Sequence, residues 1–202
     1  MSESVFLFDL DSTITGEEIL PTIANEIGKG DEMRFLTEST MMGEIPFEDS
    51  FRARVKMLDG MSYSVVSERV ARVRLNSEIV NFLKSNKNSC YIVTSNLDVW
   101  IEKLIEKIDM RDHVFCSEAK VKDGRVCGIK KILRKEESLK YFVGKTIVAV
   151  GDGSNDYKLL RDASIGIGFG GVRRVASKLM DVCDYAVYDE RTLCKILLEI
   201  KG

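Results

Sequence analysis

From residue 76 onward, short β-branched runs alternate with segments of helical period. CYIVT (90–94), TIVAV (146–150), SIGIGF (164–169) and YAVYD (185–189) are separated or followed by amphipathic stretches at 98–107, 135–142, 155–162, 172–180 and 190–200. That rhythm confines the chain to a parallel sheet with helices on both faces, because parallel neighbours need a crossover and near-continuous apolar strands need cover on both sides. VFLFD (5–9) is a strand of the same kind, placed first. Asp123-Gly124, inside AKVKDGRVCG, predicts a small hairpin on the sheet's edge. Residues 16–75 break the pattern. They hold no convincing strand but four segments of helical period, 17–28, 31–42, 46–58 and 63–74, with Pro46 suited to a first helical turn. The expected architecture is α/β. A Rossmann-like doubly wound parallel sheet (1–15 and 76–202) carries a small helical-bundle cap (16–75) inserted after the first strand. Such a cap would lie over the carboxyl ends of the strands, where open α/β sheets bind ligands.

Polar groups gather where three of these strands end. VFLFDLDSTIT (5–15) runs an apolar strand into Asp9 and Asp11, Thr94-Ser95-Asn96 follows the second strand, and GDGSND (151–156) follows TIVAV. Each alone has an ordinary explanation as a helix N-cap or a polar turn. Together they place Asp9, Asp11, Asp152 and Asp156 at one sheet edge, where mutual repulsion raises carboxyl pKa values unless a cation intervenes. Clustered hard oxygens suit Mg²⁺. The set then has a chemical logic. Asp9 attacks phosphorus as a carboxylate nucleophile. Asp11 protonates the leaving alkoxide and later deprotonates a water. Thr94 and nearby backbone N–H groups hold phosphoryl oxygens, Asp152 holds the metal, and a lysine offsets phosphoryl charge. A phosphate-accepting signalling module would share the acidic pocket but would need neither Asp11 as acid and base nor a cap.

DLDST (9–13), the strand-terminal Thr94, a basic residue before the third motif and GDGSND (151–156) resemble the haloacid dehalogenase superfamily of phosphatases, in the same order and placement. EILPTIANEIG (18–28) and TESTMMGEIPFEDSFRARV (37–55) resemble the cap of its phosphoserine phosphatase branch. The resemblance covers almost the whole chain. It implies a Mg²⁺-dependent hydrolase of O-phosphoserine that forms an aspartyl-phosphate. It also implies Asp9 as nucleophile and metal ligand, and Asp11 as general acid and base that binds metal through its backbone carbonyl. Thr94 falls at the phosphate-binding hydroxyl, Asp152 at the metal carboxylate, and Asn155 and Asp156 at supports for phosphate and metal. Glu18 falls near the substrate ammonium, Phe47 at an apolar wall, and Arg54 at the guanidinium that grips the substrate carboxylate. The sequence departs from the family where two glycines usually follow the second-motif hydroxyl. Ser95 and Asn96 stand there, and their side chains either crowd the substrate or donate to it. Lys130, Lys131 and Lys135 compete for the catalytic lysine, with Lys135 favoured because KEESL resembles the family's helix start.

Read without the resemblance, the cap residues have plainer roles. Glu18, and equally its neighbour Glu17, would be a first-turn carboxylate favoured by the helix dipole. Phe47 would be core, and Arg54, on one helix with Arg52 and Lys56, would be a surface cation. A formal net charge of −2 gives no field favouring nucleic acid or an anionic membrane. Five scattered cysteines without a CxxC pair read as reduced thiols. The lone His113 has no partner at ligand spacing. No signal-peptide pattern or membrane-length apolar run is seen. The expected partner is a small phosphorylated metabolite, and the expected setting is cytoplasmic, as monomer or homodimer.

Overall fold

The computed structural model describes residues 3–202. The strands β1 (Ser4–Phe8), β2 (Cys90–Leu97), β3 (Val114–Lys122), β4 (Arg125–Lys131), β5 (Thr146–Gly151), β6 (Ile165–Phe169) and β7 (Tyr185–Val187) form one sheet in the order β4-β3-β2-β1-β5-β6-β7. All pairings are parallel except β3 with β4. The chain starts in the middle, builds outward on one side as β2 to β4, then on the other as β5 to β7. β1 is therefore where the winding reverses, and a crevice opens beyond its carboxyl end.

The apolar runs are continuous because each strand feeds two cores. Phe6 and Phe8 point into one with Phe82, Leu193 and Leu197; Val5 and Leu7 point into the other with Phe142, Leu159, Leu160 and Leu179. The first face is covered by α5 (Ser77–Ser85), α6 (Asp98–Lys107) and α9 (Glu190–Lys201), the second by α7 (Tyr157–Asp162) and α8 (Ser177–Met180). Phe6 meets Phe82 edge to face with centroids 5.3 Å apart, and each such buried ring contributes about 1.5–3 kcal/mol by burial.

Between β1 and α5 run α1 (Ile19–Asn25), α2 (Gly30–Met41), α3 (Phe47–Met57) and α4 (Tyr63–Val70). Their entry and exit form a narrow neck. Thr15 bridges Leu75 antiparallel, Gly16 N–H donates to Arg74 O (2.7 Å), and Asn76 N–H to Ile14 O (2.9 Å). The Asn76 amide adds a bond to Thr13 O at 2.8 Å. The helices are also fastened away from the neck. Lys103 N–H of α6 donates to Ser67 Oγ (3.2 Å), Lys107 Nζ to Ala71 O (2.7 Å), and Tyr63 N–H to Gly124 O at the hairpin tip (3.0 Å).

Two local expectations change. The 172–180 segment is helical only over Ser177–Met180, because the Ala176 N–H is drawn to Asp152 O (3.0 Å) and the preceding residues turn back toward the strand ends. Residues Lys135–Phe142 wind as a 3₁₀ helix. The hairpin expected at Asp123-Gly124 stands at the sheet's edge as β3 and β4, with β3 paired in parallel to β2. The α5 helix, not assigned from sequence, buries Ile79, Val80, Phe82 and Leu83 at helical spacing after Asn76. Among the described residues, no helix is long and apolar enough to cross a membrane.

Candidate active site

β1 delivers the first carboxylate. The Asp9 N–H donates to Val150 O (2.8 Å), so the ladder to β5 extends one residue past the strand and fixes the Asp9 backbone. The chain then makes a wide turn over Leu10–Ile14 with Ser12 at φ 62°. That left-handed conformation costs a serine about 1–2 kcal/mol. Thr15 holds it: its N–H donates to Leu10 O (2.9 Å), and its Oγ1 accepts from Ser12 N–H (2.9 Å) while donating to Glu17 O (2.8 Å). The turn brings Asp9 and Asp11 to one cavity. One Asp11 oxygen accepts the N–H of Ile19 at 3.0 Å, tying it to the start of α1.

β5 delivers the opposing pair. After Gly151 the chain turns through Ser154–Asp156, and Asp156 folds back so that one oxygen accepts Gly153 N–H at 3.0 Å. A Cβ at position 151 would lie 2.5 Å from the Asp156 carboxyl carbon, so only glycine permits the approach. Asp9, Asp152 and Asp156 are all buried, each offering an oxygen within 4.8 Å of the others.

One cation is spread between two members of this trio. Lys135, 2% exposed, donates from Nζ to Asp9 Oδ1 at 2.6 Å and to Asp156 Oδ1 at 2.5 Å. Lys130 instead pairs with Glu118 on the exposed hairpin (2.6 Å), and Lys131 is exposed on β4. Lys135 and the guanidinium of Arg173, which is bonded to Asp152 at 2.6 Å, are two cations against the four carboxylates of Asp9, Asp11, Asp152 and Asp156, and the imbalance appears in their acidities. Burial, then the charge of Asp156, pushes Asp9 up to about 8 against the pull of Lys135. Burial pushes Asp11 to about 7 and Asp152 to about 6. Lys135 is held above the ordinary lysine range because its two carboxylates outweigh its own desolvation. An all-oxygen donor set with uncompensated charge fits a hard divalent cation.

The cavity beyond the carboxylates is small, about 60 Å³, against roughly 300–1,000 Å³ for sites of drug-sized ligands. Thr94, Ser95, Asn96 and Asn155 line one side. The Asn96 backbone and amide N–H groups both point at Thr94 Oγ1 (3.2 and 3.3 Å), which leaves the threonine proton free to donate into the cavity. Phe47, Phe51 and Arg54 line the helical side. Arg54 is 8% exposed, its guanidinium carbon lies 5.8 Å from each of two stacked Phe rings, and its Nε has no hydrogen-bond partner. Desolvation depresses its pKa. An unpartnered buried guanidinium beside an open cavity lacks an anion.

Glu18 and Glu17 separate. Glu17 accepts Arg74 N–H (2.6 Å) at the neck, whereas Glu18 pairs with Arg173, a residue the sequence reading passed over. Arg173 also donates from Nε to Asp152 Oδ2 at 2.6 Å and lines the cavity. Its sequence signal is a Gly-Gly-Val followed by two arginines just past β6, and the helical period of 172–180 conceals it.

Comparisons with known proteins agree with this geometry. The family model for haloacid dehalogenase-like hydrolases matches residues 6–161. The phosphoserine phosphatase of Methanocaldococcus jannaschii is 30% identical, with 98% of each chain covered. That of Archaeoglobus fulgidus is also 30% identical over 92% of this chain, which spans 57% of the relative's length. A substrate-bound phosphoserine phosphatase complex superposes with a TM-score of 0.82 at 27% identity, covering 97% of this chain and 99% of that one. A phospho-aspartyl intermediate analogue of phosphoserine phosphatase gives 0.79 at 26% identity, with 97% and 99% covered.

Proposed function

This chain belongs to the haloacid dehalogenase-like hydrolase family, and from that premise we propose that it is a Mg²⁺-dependent phosphomonoesterase hydrolysing O-phosphoserine to serine and phosphate. The observation that carries the reading is the buried Asp9–Lys135–Asp156 arrangement beside Asp152, with Asp11 facing the same cavity.

In the first step an Asp9 oxygen forms a bond to phosphorus as the ester P–O bond breaks, and the proton carried by Asp11 passes to the leaving alkoxide. A carboxyl pushed to about 7 holds that proton for a useful fraction of the time near neutrality. In the second step Asp11, now a carboxylate, takes a proton from water. The water oxygen bonds to phosphorus, the P–O bond to Asp9 breaks, and phosphate leaves with Asp9 again a carboxylate and Asp11 again protonated. Lys135 and the Thr94 hydroxyl stabilise phosphoryl oxygens, and Asn155 borders them. Mg²⁺, held by Asp9, Asp152 and Asp156 with the Asp11 main-chain carbonyl, would neutralise the cluster and keep Asp9 ionised. Arg54 receives the substrate carboxylate, which would supply the partner its guanidinium lacks. Residues 16–75 cover the cavity and exclude bulk water from the phosphorylated Asp9.

A second reading, a different small phosphorylated metabolite, is favoured by Ser95 and Asn96 on the cavity wall and by Glu18 being engaged by Arg173. Phosphate release from a panel containing O-phosphoserine, other small phosphomonoesters and an aryl phosphate, with and without Mg²⁺, tests both. Mg²⁺-dependent turnover led by O-phosphoserine is the expected result. Turnover of the aryl phosphate alone would remove the substrate assignment, and no turnover of any ester would remove the enzyme.

A further inference from the structure

Arg173 reaches the cavity by construction. It lies in the irregular stretch between β6 and α8, whose first residues are Gly170 and Gly171. A Cβ on either would come within 2.4 Å of a ring, that of Tyr188 or of Phe169, so the chain can double back there only without side chains. Ala176 N–H on Asp152 O (3.0 Å) pins the other end. The guanidinium between them joins a core carboxylate, Asp152, to Glu18 at the start of the helical region.

The consequence is a matter of charge. The helical side of the cavity presents Arg54, whose Nε has no partner, and Glu18, whose carboxylate is already held by Arg173. With a neutral residue at 173, Glu18 would be free to accept a cation. A ligand ammonium must therefore share Glu18 with a guanidinium already bonded to it, while a ligand carboxylate meets the unpartnered Arg54. We propose that Arg173 is a specificity-determining residue. It biases the cavity toward phosphomonoesters whose distal end carries a carboxylate alone, and against those that carry an ammonium as well. The proposal rests on the phosphomonoesterase reading and bears on how the cavity discriminates among its esters. It concerns the shift that Arg173 produces, whichever ester the wild-type chain prefers.

The test compares O-phosphoserine with 3-phosphonooxypropanoate, the same skeleton without the amino group, at saturating Mg²⁺ so that changes in metal affinity through Asp152 cancel in the ratio. Arg173→Gln is expected to move the ratio of kcat/KM about tenfold toward O-phosphoserine, mostly through KM, while Arg173→Lys moves it by less than about threefold. Glu18→Gln is expected to move the ratio the opposite way. Arg173→Met, expected to shift the ratio as Arg173→Gln does, decides the matter if Arg173→Gln fails to fold. Equal changes for the two esters in every variant would overturn the proposal. If wild-type protein hydrolyses neither ester, the phosphatase reading fails by itself. Calorimetric dissociation constants for the two compounds, in wild type and variants, then decide the role of Arg173 by the same ratio.

Discussion

The two sides of the cavity satisfy their charges differently. On the strand-end side the buried cation, Lys135, is shared between two carboxylates at 2.6 and 2.5 Å, and negative charge is in excess. On the helical side the buried cation, Arg54, lies beside two stacked Phe rings with its Nε unpartnered. One side is short of a cation and the other short of an anion. A site of this kind holds its chemistry in the sheet and leaves its recognition incomplete until a ligand arrives.

The largest effect should come from the sheet side. Asp9→Asn removes the attacking oxygen's charge, and phosphate release is expected to fall by about 10⁴-fold or more. The metal-free melting temperature should stay level or rise, because one member of a repelling trio is neutralised. A fall in both would mean that Asp9 is a structural ion-pair partner.

Next in size is a contrast between the two buried cations. Lys135→Met leaves Asp9 and Asp156 uncompensated and is expected to cost about 3–5 kcal/mol in denaturant unfolding at neutral pH. Arg54→Met should be neutral or slightly stabilising in the same measurement, because it removes a desolvated charge with no partner. The comparison fails if the two variants lose equal stability. In kinetics the order reverses for recognition. Arg54→Met should raise KM for O-phosphoserine about 10–100-fold, or ~1.4–2.8 kcal/mol, and barely change kcat/KM for an aryl phosphate without a carboxylate.

The smallest effect is a pH slope. Asp9 and Asp11 titrate near 8 and 7 in the folded chain, against an ordinary value of 3.8. The folded chain thus binds more protons than the unfolded one between these values. The associated stability is full below the ordinary value and lost as pH rises through about 7 to 8. The metal-free melting temperature is expected to drop by several degrees from about pH 5 to about pH 8. Saturating Mg²⁺ should flatten that slope, and a metal-free curve that rises over the same range would contradict the charge excess.

Much of this contrast was legible in the chain. The strand-end side could be read from residues alone, since an apolar run that stops at Asp9 places a carboxylate at a sheet edge by geometry, and GDGSND repeats the event beside it. Arg54 could not be read that way, because a helical arginine flanked by Arg52 and Lys56 looks like solvent surface. Only the resemblance to known phosphatase caps singled it out. Arg173 was hidden by a competing helical period. The turn that delivers it depends on Tyr188 and Phe169 crowding Gly170 and Gly171, a tertiary contact that local spacing does not encode. The choice among Lys130, Lys131 and Lys135 was likewise open to sequence, because it turns on where a 3₁₀ helix begins.

The central claim is that Asp9 becomes phosphorylated and Asp11 releases it. Asp11→Asn protein, mixed with Mg²⁺ and O-phosphoserine, quenched in acid and mapped by peptide mass spectrometry, tests it most directly. The account predicts phosphate on Asp9, accumulating only when Mg²⁺ is present, with turnover reduced about 10²–10⁴-fold. Phosphate on another residue, or an unmodified Asp9 in a variant that still turns over at the wild-type rate, would contradict it.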